Sequence, residues 1–275
     1  MLVHHRTYRF GGLVAAGLMA FMATVAVPAA FADTVLYSTS FENPPFTTGP
    51  IAGQDGWNVF GPGISTVENS FADTGSQAVF VDGGTPTQSG PYHSDFSTGP
   101  LVDVSADLAI FTSSTQSEWQ FAGLGSGLAP FLGGIDILPN NDILAITNGF
   151  PIIGIFPRAT AFNSTAWHQV DLLFNIPAQT YNISLDGVTL DSNVPFCGDN
   201  GPCVGAPVAA YSDGFFDSFG QSTFGGTPGT NDSGYMDNYS VTNVTPTPEP
   251  SMLPLVIGLT AICIGLRRRL SSART

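Results

Sequence analysis

Cleaving a glycosidic bond takes two carboxyl groups, one to protonate the leaving oxygen and one to act as base or nucleophile. The glutamates available for such work are Glu42, Glu68, Glu118 and Glu249. None has an acidic residue two positions further on, where a strand would put it on the same face. A hydrolytic triad needs a placed histidine, and between residues 33 and 249 only His93 and His168 occur. His168 follows Trp167 in a strand-like run and reads as structural. His93 closes Ser89-Gly90-Pro91-Tyr92-His93, which reads as a loop with no nucleophile turn. Gly123-Leu124-Gly125-Ser126-Gly127 has the glycines of a phosphate loop but neither its lysine nor a following helix. The aspartates fall mostly at expected turns and strand ends, where bonds to the local backbone account for them. The sequence therefore assigns no catalytic residue, and the expectation is a protein that is not an enzyme.

Two other chemistries remain. Cys197 and Cys203 bracket Gly198-Asp199-Asn200-Gly201-Pro202, a turn-forming sequence, and no histidine stands near to complete a zinc site. A disulfide closing this small loop is expected, in an oxidising compartment. Calcium prefers carboxylate, amide and carbonyl oxygens. If the first and last strands are neighbours, Glu42 meets Asp237 and Asn238 where they pair, and these three are the candidate calcium ligands. Asp213-Gly214-Phe215-Phe216-Asp217, read as a loop, is a second candidate. Ordinary turn capping by aspartate is the competing explanation. No other cofactor is expected.

The elements that must position these residues are strands. No long segment has helical periodicity. Short alternating runs separated by turn residues predict strands over 34–41, 64–68, 78–82, 101–112, 118–124, 134–138, 142–147, 168–175, 180–185, 188–191 and 236–242. Asp186-Gly187 and Pro139-Asn140-Asn141-Asp142 supply the positive φ of hairpin turns. Eleven strands without an internal repeat make an all-β, two-sheet antiparallel sandwich. Trp57 and Trp167 are expected as core anchors.

One stretch narrows the architecture. Trp167-His168-Gln169-Val170 leads a strand, Leu185-Asp186-Gly187 ends the next, and the chain closes on Asp237-Asn238-Tyr239-Ser240-Val241. These motifs resemble the concanavalin A-like (laminin-G-like) jelly roll over most of 34–244. The resemblance implies that the closing strand pairs near the first, Tyr37-Ser38-Thr39-Ser40-Phe41-Glu42. Hydrolases of that family carry a Glu-x-Asp-x-Glu-type strand, which this chain lacks.

Charge excludes one partner class. All 21 acidic residues lie between Asp33 and Glu249, the only Lys or Arg in that span is Arg158, and lysine is absent throughout. Such a surface repels nucleic acid and acidic polymers alike, and suits divalent cations or neutral glycans.

The two ends read as export devices. His4, His5, Arg6 and Arg9 precede an apolar stretch from Phe10 to Val27, and Ala30-Phe31-Ala32 is a signal-cleavage site. Residues 1–32 are thus expected to be a signal peptide. At the other end Pro248-Glu249-Pro250 sits in a proline-rich spacer, before an apolar run from Met252 to Leu266 and the cluster Arg267-Arg268-Arg269. The prolines keep the motif extended. The apolar run is short for a membrane helix, and the arginines place its far end in the cytoplasm. Motif, helix and arginines in this order resemble the PEP-CTERM sorting signal of Gram-negative surface proteins. The resemblance covers 246–271. It implies an exosortase-type processing enzyme as partner, a transient stay in the inner membrane, and delivery to the cell surface or beyond. The expected organisation is 1–32 signal peptide, 33–244 β-sandwich and 245–275 sorting signal.

These readings converge on a non-catalytic exported surface or matrix protein with affinity for exopolysaccharide. The alternative is a secreted jelly-roll glycoside hydrolase. Two carboxyl groups about 5–9 Å apart in a groove would favour the hydrolase, and a groove lined by aromatics without such a pair would favour binding.

Overall fold

The alternating runs become strands because every second side chain has a core to enter. In Leu101–Phe111, Val102, Val104, Ala106 and Leu108 are buried while the residues between them stay partly open. The computed structural model describes residues 32–82, 88–111, 118–125, 131–138, 142–147, 154–156, 166–196, 209–219 and 233–245. These contain strands and no helix. In chain order the strands are β1 (Thr34–Thr39), β2 (Gly49–Pro50), β3 (Trp57–Phe60), β4 (Ser65–Glu68), β5 (Ala78–Asp82), β6 (Gly90–His93), β7 (Leu101–Phe111) and β8 (Glu118–Gly125). They continue as β9 (Phe131–Ile137), β10 (Ile143–Ile146), β11 (Gly154–Phe156), β12 (His168–Asn175), β13 (Thr180–Leu185), β14 (Val188–Pro195), β15 (Tyr211–Phe219) and β16 (Ser233–Asn243).

They form two antiparallel sheets of a jelly-roll sandwich. The nine-stranded sheet runs β14-β13-β12-β7-β16-β5-β4-β2, and β1 pairs with β16. The seven-stranded sheet runs β11-β10-β9-β8-β15-β6-β3. As expected, the first strand lies beside the last, with Thr39 opposite Tyr239. β5 and β1 share the same flank of β16 in tandem, β5 along 233–236 and β1 along 239–243. Between the two pairings β16 bulges just past Asp237, where Asn238 has φ 47°. The extra residue reverses the side-chain parity. Met236 points to the core before the bulge, and Tyr239 and Val241 do so after it.

Between the sheets lie Val104, Leu172, Ile183 and Val241 from one side and Trp119, Phe121, Ile135 and Phe216 from the other, all essentially buried. Full burial of side chains of this size contributes about 1.5–3 kcal/mol each. Trp57 is in this core, wholly buried, its Nε1–H donating to the Tyr37 hydroxyl at 3.0 Å.

The predicted strands 78–82, 168–175 and 180–185 coincide with β5, β12 and β13. The hairpin between β13 and β14 turns on Asp186 (φ 51°) and Gly187 (φ 74°), the primed-turn geometry that Asp-Gly favours. Five strands were not expected: β2, β3, β6, β11 and β15. The stretch 213–217, read as a loop, is the middle of β15, at the centre of the seven-stranded sheet. Its glycine is not a turn glycine. A Cβ on Gly214 would run into the hydroxyls of Tyr239 and Tyr211. Those hydroxyls lie 3.2 Å apart in the core.

Three of the four sheet-end strands are blunt. β2 has two residues and β11 three. β14 carries two register irregularities, Asn193 at φ 58° and a terminal Pro195.

Candidate functional site

The outer face of the seven-stranded sheet, away from the core, carries the residues of interest. In β8, Trp119 and Phe121 enter the core, so Glu118, Gln120, Ala122 and Leu124 point outward. In β15, Phe216 enters the core and Asp213, Phe215 and Asp217 point outward. Register aligns them in rows. Asp217 stands opposite Gln120, Gln120 opposite Asp136, and Asp136 opposite Leu144. The next row is Asn58, Tyr92, Phe215, Ala122, Gly134 and Ile146. Glu118 lies opposite Phe219, one step beyond the acid row.

Three acids from three adjacent strands thus share one small region. Asp217 is 0%, Glu118 1% and Asp136 5% exposed. Gln88 Nε2–H donates to Gln120 Oε1 at 3.3 Å. Asp136 Oδ1 and both carboxyl oxygens of Asp217 have no partner within bonding geometry, although the Gln88 amide stands near Asp217. Burial pushes Asp136 well above the usual carboxylate range; the charge of Glu118 adds to this and the Gln120 amide partly offsets it. Burial also pushes Asp217 well up, opposed by the Gln88 amide and reinforced by Asp136. Glu118 is therefore not isolated in space, as its sequence neighbours suggested. Its acidic companion arrives across the sheet.

Beside the acid row lies an apolar patch. Phe215, Ala122 and Ile146 are buried in it, and Phe60, Tyr92, Leu124 and Phe131 are half-buried around them. Phe60 meets Phe215 edge-on at 5.9 Å and Tyr92 at 6.0 Å, and Phe131 lies 6.3 Å from Phe215. Half-open rings next to carboxyl and amide groups offer a stacking platform together with hydrogen-bonding groups.

The candidate calcium ligands lie around one loop, 73–77, and hold it through hydrogen bonds. Glu42 Oε1 accepts from the backbone N–H of Ser76 and of Gln77 at 2.6 and 2.7 Å, and Oε2 from the Ser76 hydroxyl at 2.8 Å. Those bonds, the Ser76 N–H foremost, lower its pKa. Asp237 accepts from the backbone N–H of Asp73, Thr74 and Asn238. Asn238 donates to Asp107 at 2.7 Å and to Asp73 at 3.2 Å. Among the described residues no group of three or more His, Cys, Asp or Glu is arranged to hold a metal ion.

His168 Nδ1 lies 2.8 Å from Asp186 Oδ2 and braces the β13–β14 turn. His93 stacks on Phe96 at 4.7 Å, on the core side of β6. Trp167 does not enter the core. It is half-buried and stacks on Phe71 at 5.0 Å. Ala32 is exposed, just ahead of β1. Cys197, Cys203, Ala30, Pro248, Glu249, Pro250, Arg267, Arg268 and Arg269 lie outside the described residues.

Asp217 and Asp136 were not singled out together from the sequence. A signal existed in β15: residues 213, 215, 217 and 219 read Asp, Phe, Asp, Phe, the period-2 pattern of one strand face. What joins Asp217 to Asp136 is the strand order β9-β8-β15, which no local pattern encodes.

No protein-family model matches the chain, and no curated protein matches it by sequence. Solved structures do share its fold. β-Agarase A from Zobellia galactanivorans is similar at TM-score 0.55 and 14% identity, covering 77% of this chain and 92% of that one. A sialidase is similar at TM-score 0.50 and 10% identity over 72% of this chain, which spans only 18% of the sialidase. The CBM22-1 xylan-binding domain of Paenibacillus barcinonensis Xyn10C overlaps at TM-score 0.41 and 14% identity, covering 79% of this chain and all of that one. At these identities the likeness to the agarase and the sialidase is one of fold.

Proposed function

We propose that this chain is an exported, non-catalytic surface or matrix protein that binds polysaccharide on the outer face of its seven-stranded sheet. The observation that supports it best is the half-open aromatic patch of Phe60, Tyr92 and Phe131, set beside the Asp217–Gln120–Asp136 row. Sugar rings stack their apolar faces on aromatics, while amide and carboxyl groups meet their hydroxyls. Affinity electrophoresis in gels containing agarose, β-glucan or xylan tests this. At least one polymer should retard the protein, and Tyr92→Ala should weaken the retardation. Equal mobility of both proteins in every gel would overturn the reading. Delivery follows from Pro248-Glu249-Pro250, the apolar run and Arg267 to Arg269, read by an exosortase-type enzyme after passage through the inner membrane.

One observation favours a second reading, a glycoside hydrolase. Asp136 and Asp217 flank Gln120 on strands whose backbones lie roughly 9.5 Å apart, two interstrand spacings, and Glu118 stands close to Asp136. Catalysis needs one carboxyl group ionised and its partner protonated, so the two environments must differ. Here burial pushes both aspartates the same way. The aromatic patch beside the acids supports binding as the first reading. Release of reducing sugar from β-glucan, galactan or xylan, abolished by Asp136→Asn, would reverse the choice.

A further inference from the structure

We infer that Tyr37 is a site of one-electron oxidation: its phenol gives the electron to an oxidant in solvent and the proton to Asp55, and in doing so spares the buried indole of Trp57. This inference stands apart from the glycan-binding reading. The Tyr37 hydroxyl donates to Asp55 Oδ2 at 2.8 Å and accepts from Trp57 Nε1–H at 3.0 Å. Trp57 is wholly buried, Tyr37 is half-buried and Asp55 is exposed. The three form a line from core to solvent.

The line joins the core aromatics. Trp57 meets Tyr239 edge-on at 5.1 Å, and Tyr37 lies 6.2 Å from Tyr239. Rings this close exchange an electron readily. A phenol gives up its electron easily when a base takes its proton in the same step. The Tyr181 hydroxyl lies against the Gly134 and Ile146 carbonyls, and the Tyr211 and Tyr239 hydroxyls lie 3.2 Å from each other. Carbonyl and phenol oxygens are far weaker proton acceptors than a carboxylate, and Tyr37 faces a carboxylate. The loop that carries Asp55 is tied down on both sides. The Gln54 amide donates to the Thr47 and Pro50 carbonyls at 3.0 and 2.7 Å, the Trp57 N–H donates to the Gln54 carbonyl at 2.9 Å, and His93 Nε2 lies 3.1 Å from the Asp55 carbonyl oxygen. Burial, then the Asp55 bond, pushes the Tyr37 phenol up, so it meets an oxidant in its O–H form.

The step balances as follows. The O–H bond of Tyr37 breaks and its proton adds to Asp55 Oδ2, which becomes a carboxylic acid. One electron leaves for an oxygen-centred radical or an oxidised metal complex in solvent, which is reduced by one electron. A neutral phenoxyl radical remains on Tyr37 and still accepts the Trp57 N–H. Where the electron is lost first from Trp57, the same proton moves and the Tyr37 electron refills the indole, whose N–H bond stays whole.

The exported protein and its Asp55→Asn and Tyr37→Phe variants are exposed to photogenerated ruthenium(III) tris-bipyridine, a one-electron oxidant, with tyramine as the trap. Two phenoxyl radicals join through ring carbons, each phenol having lost one electron and one proton, so tyramine marks the residue that holds the radical. Peptide mapping by mass spectrometry reads tyramine on Tyr37 and added oxygen on Trp57, with the half-buried Tyr235 and Trp167 as references. Asparagine keeps an acceptor oxygen for the Tyr37 O–H and tolerates the φ of 43° at residue 55, but it is not a base. Wild-type Tyr37 should be labelled and Trp57 spared. Asp55→Asn should lower Tyr37 labelling several-fold and raise Trp57 oxidation, and Tyr37→Phe should raise Trp57 oxidation several-fold. A merely structural hydrogen bond would leave Asp55→Asn like the wild type. Unlabelled Tyr37 in the wild type, equal labelling in Asp55→Asn, or Trp57 oxidised no more in the variants than in the wild type would overturn the inference. Asp55→Asn decides the matter by itself if Tyr37→Phe does not fold.

Discussion

Asp237 Oδ2 lies 3.1 Å from the backbone nitrogen of Asp73 and 3.1 Å from that of Thr74. One carboxylate at the bulge of the last strand therefore holds a loop more than 160 residues earlier in the chain. Asp237 is wholly buried, and its Oδ1 also accepts the Asn238 N–H at 2.8 Å. Asp237→Ala leaves those donors without their acceptor. The expected loss is about 3 kcal/mol, since each orphaned buried group costs about 1–3 kcal/mol and the loop relaxes in part. Urea unfolding measures it. A loss under about 0.5 kcal/mol, the level of an ordinary surface change, would show that the loop is held by other means.

Stability should rise as pH falls from 8 to about 5. Burial, then Asp171 and Asp33, pushes Asp103 up to about 6. Burial, against its backbone N–H bonds, pushes Asp237 up to about 6. Asp107, Asp171, Asp136 and Asp217 are raised as well, each chiefly by burial. A raised acid keeps its proton in the folded state while the unfolded chain loses it near pH 4. Stability then falls with rising pH from about 4 through the folded pKa. Glu42 works in the opposite sense, because its lowered pKa adds stability that is lost in acid. The midpoint temperature should peak between about pH 4 and 5.5, and a maximum at pH 8 would contradict these assignments.

Gly214→Ala should destabilise the core by about 1–3 kcal/mol, the usual cost of forcing atoms into a filled space. Its new methyl group meets the Tyr211 and Tyr239 hydroxyls. Tyr239→Phe made on top of it should recover part of the loss. Additive effects of the two changes, measured by denaturant unfolding, would show that the clash lies elsewhere.

If residues 245–275 act as the proposed sorting signal, they should be separable from the fold. Asp33–Thr245 forms a compact unit of its own, so a chain ending at Val244 should fold and be secreted. Replacing Glu249 in the full chain should leave it unprocessed in the inner membrane. Fractionation and a mass measurement of the tail decide it: normal processing of the Glu249 variant would refute the sorting role.

Strand positions were legible where alternation met a large core. Val102, Val104 and Ala106 announce β7, and Asp186-Gly187 announces the β13–β14 hairpin. β6 and β15 were hidden because Pro91 and Gly214 look like breakers. In the fold Pro91 sits in register with Val59 and Gly214 makes room for two tyrosines. The acid row was hidden for a different reason. Asp136 and Asp217 are 81 positions apart in the sequence, and only the insertion of β8 between β9 and β15 makes them neighbours. Local patterns report which face a side chain takes. They do not report which strands lie side by side.

The blunt sheet edges bear on how many copies can share a crowded surface. A strand of two or three residues, or one broken by bulges and ended by proline, is a poor template for another chain. If copies gather at a surface, as the proposed reading has it, pairing through β2, β11 or β14 is disfavoured. A layer built from them would take its cohesion from the polymer threaded between discrete particles, and it would loosen when that polymer was digested.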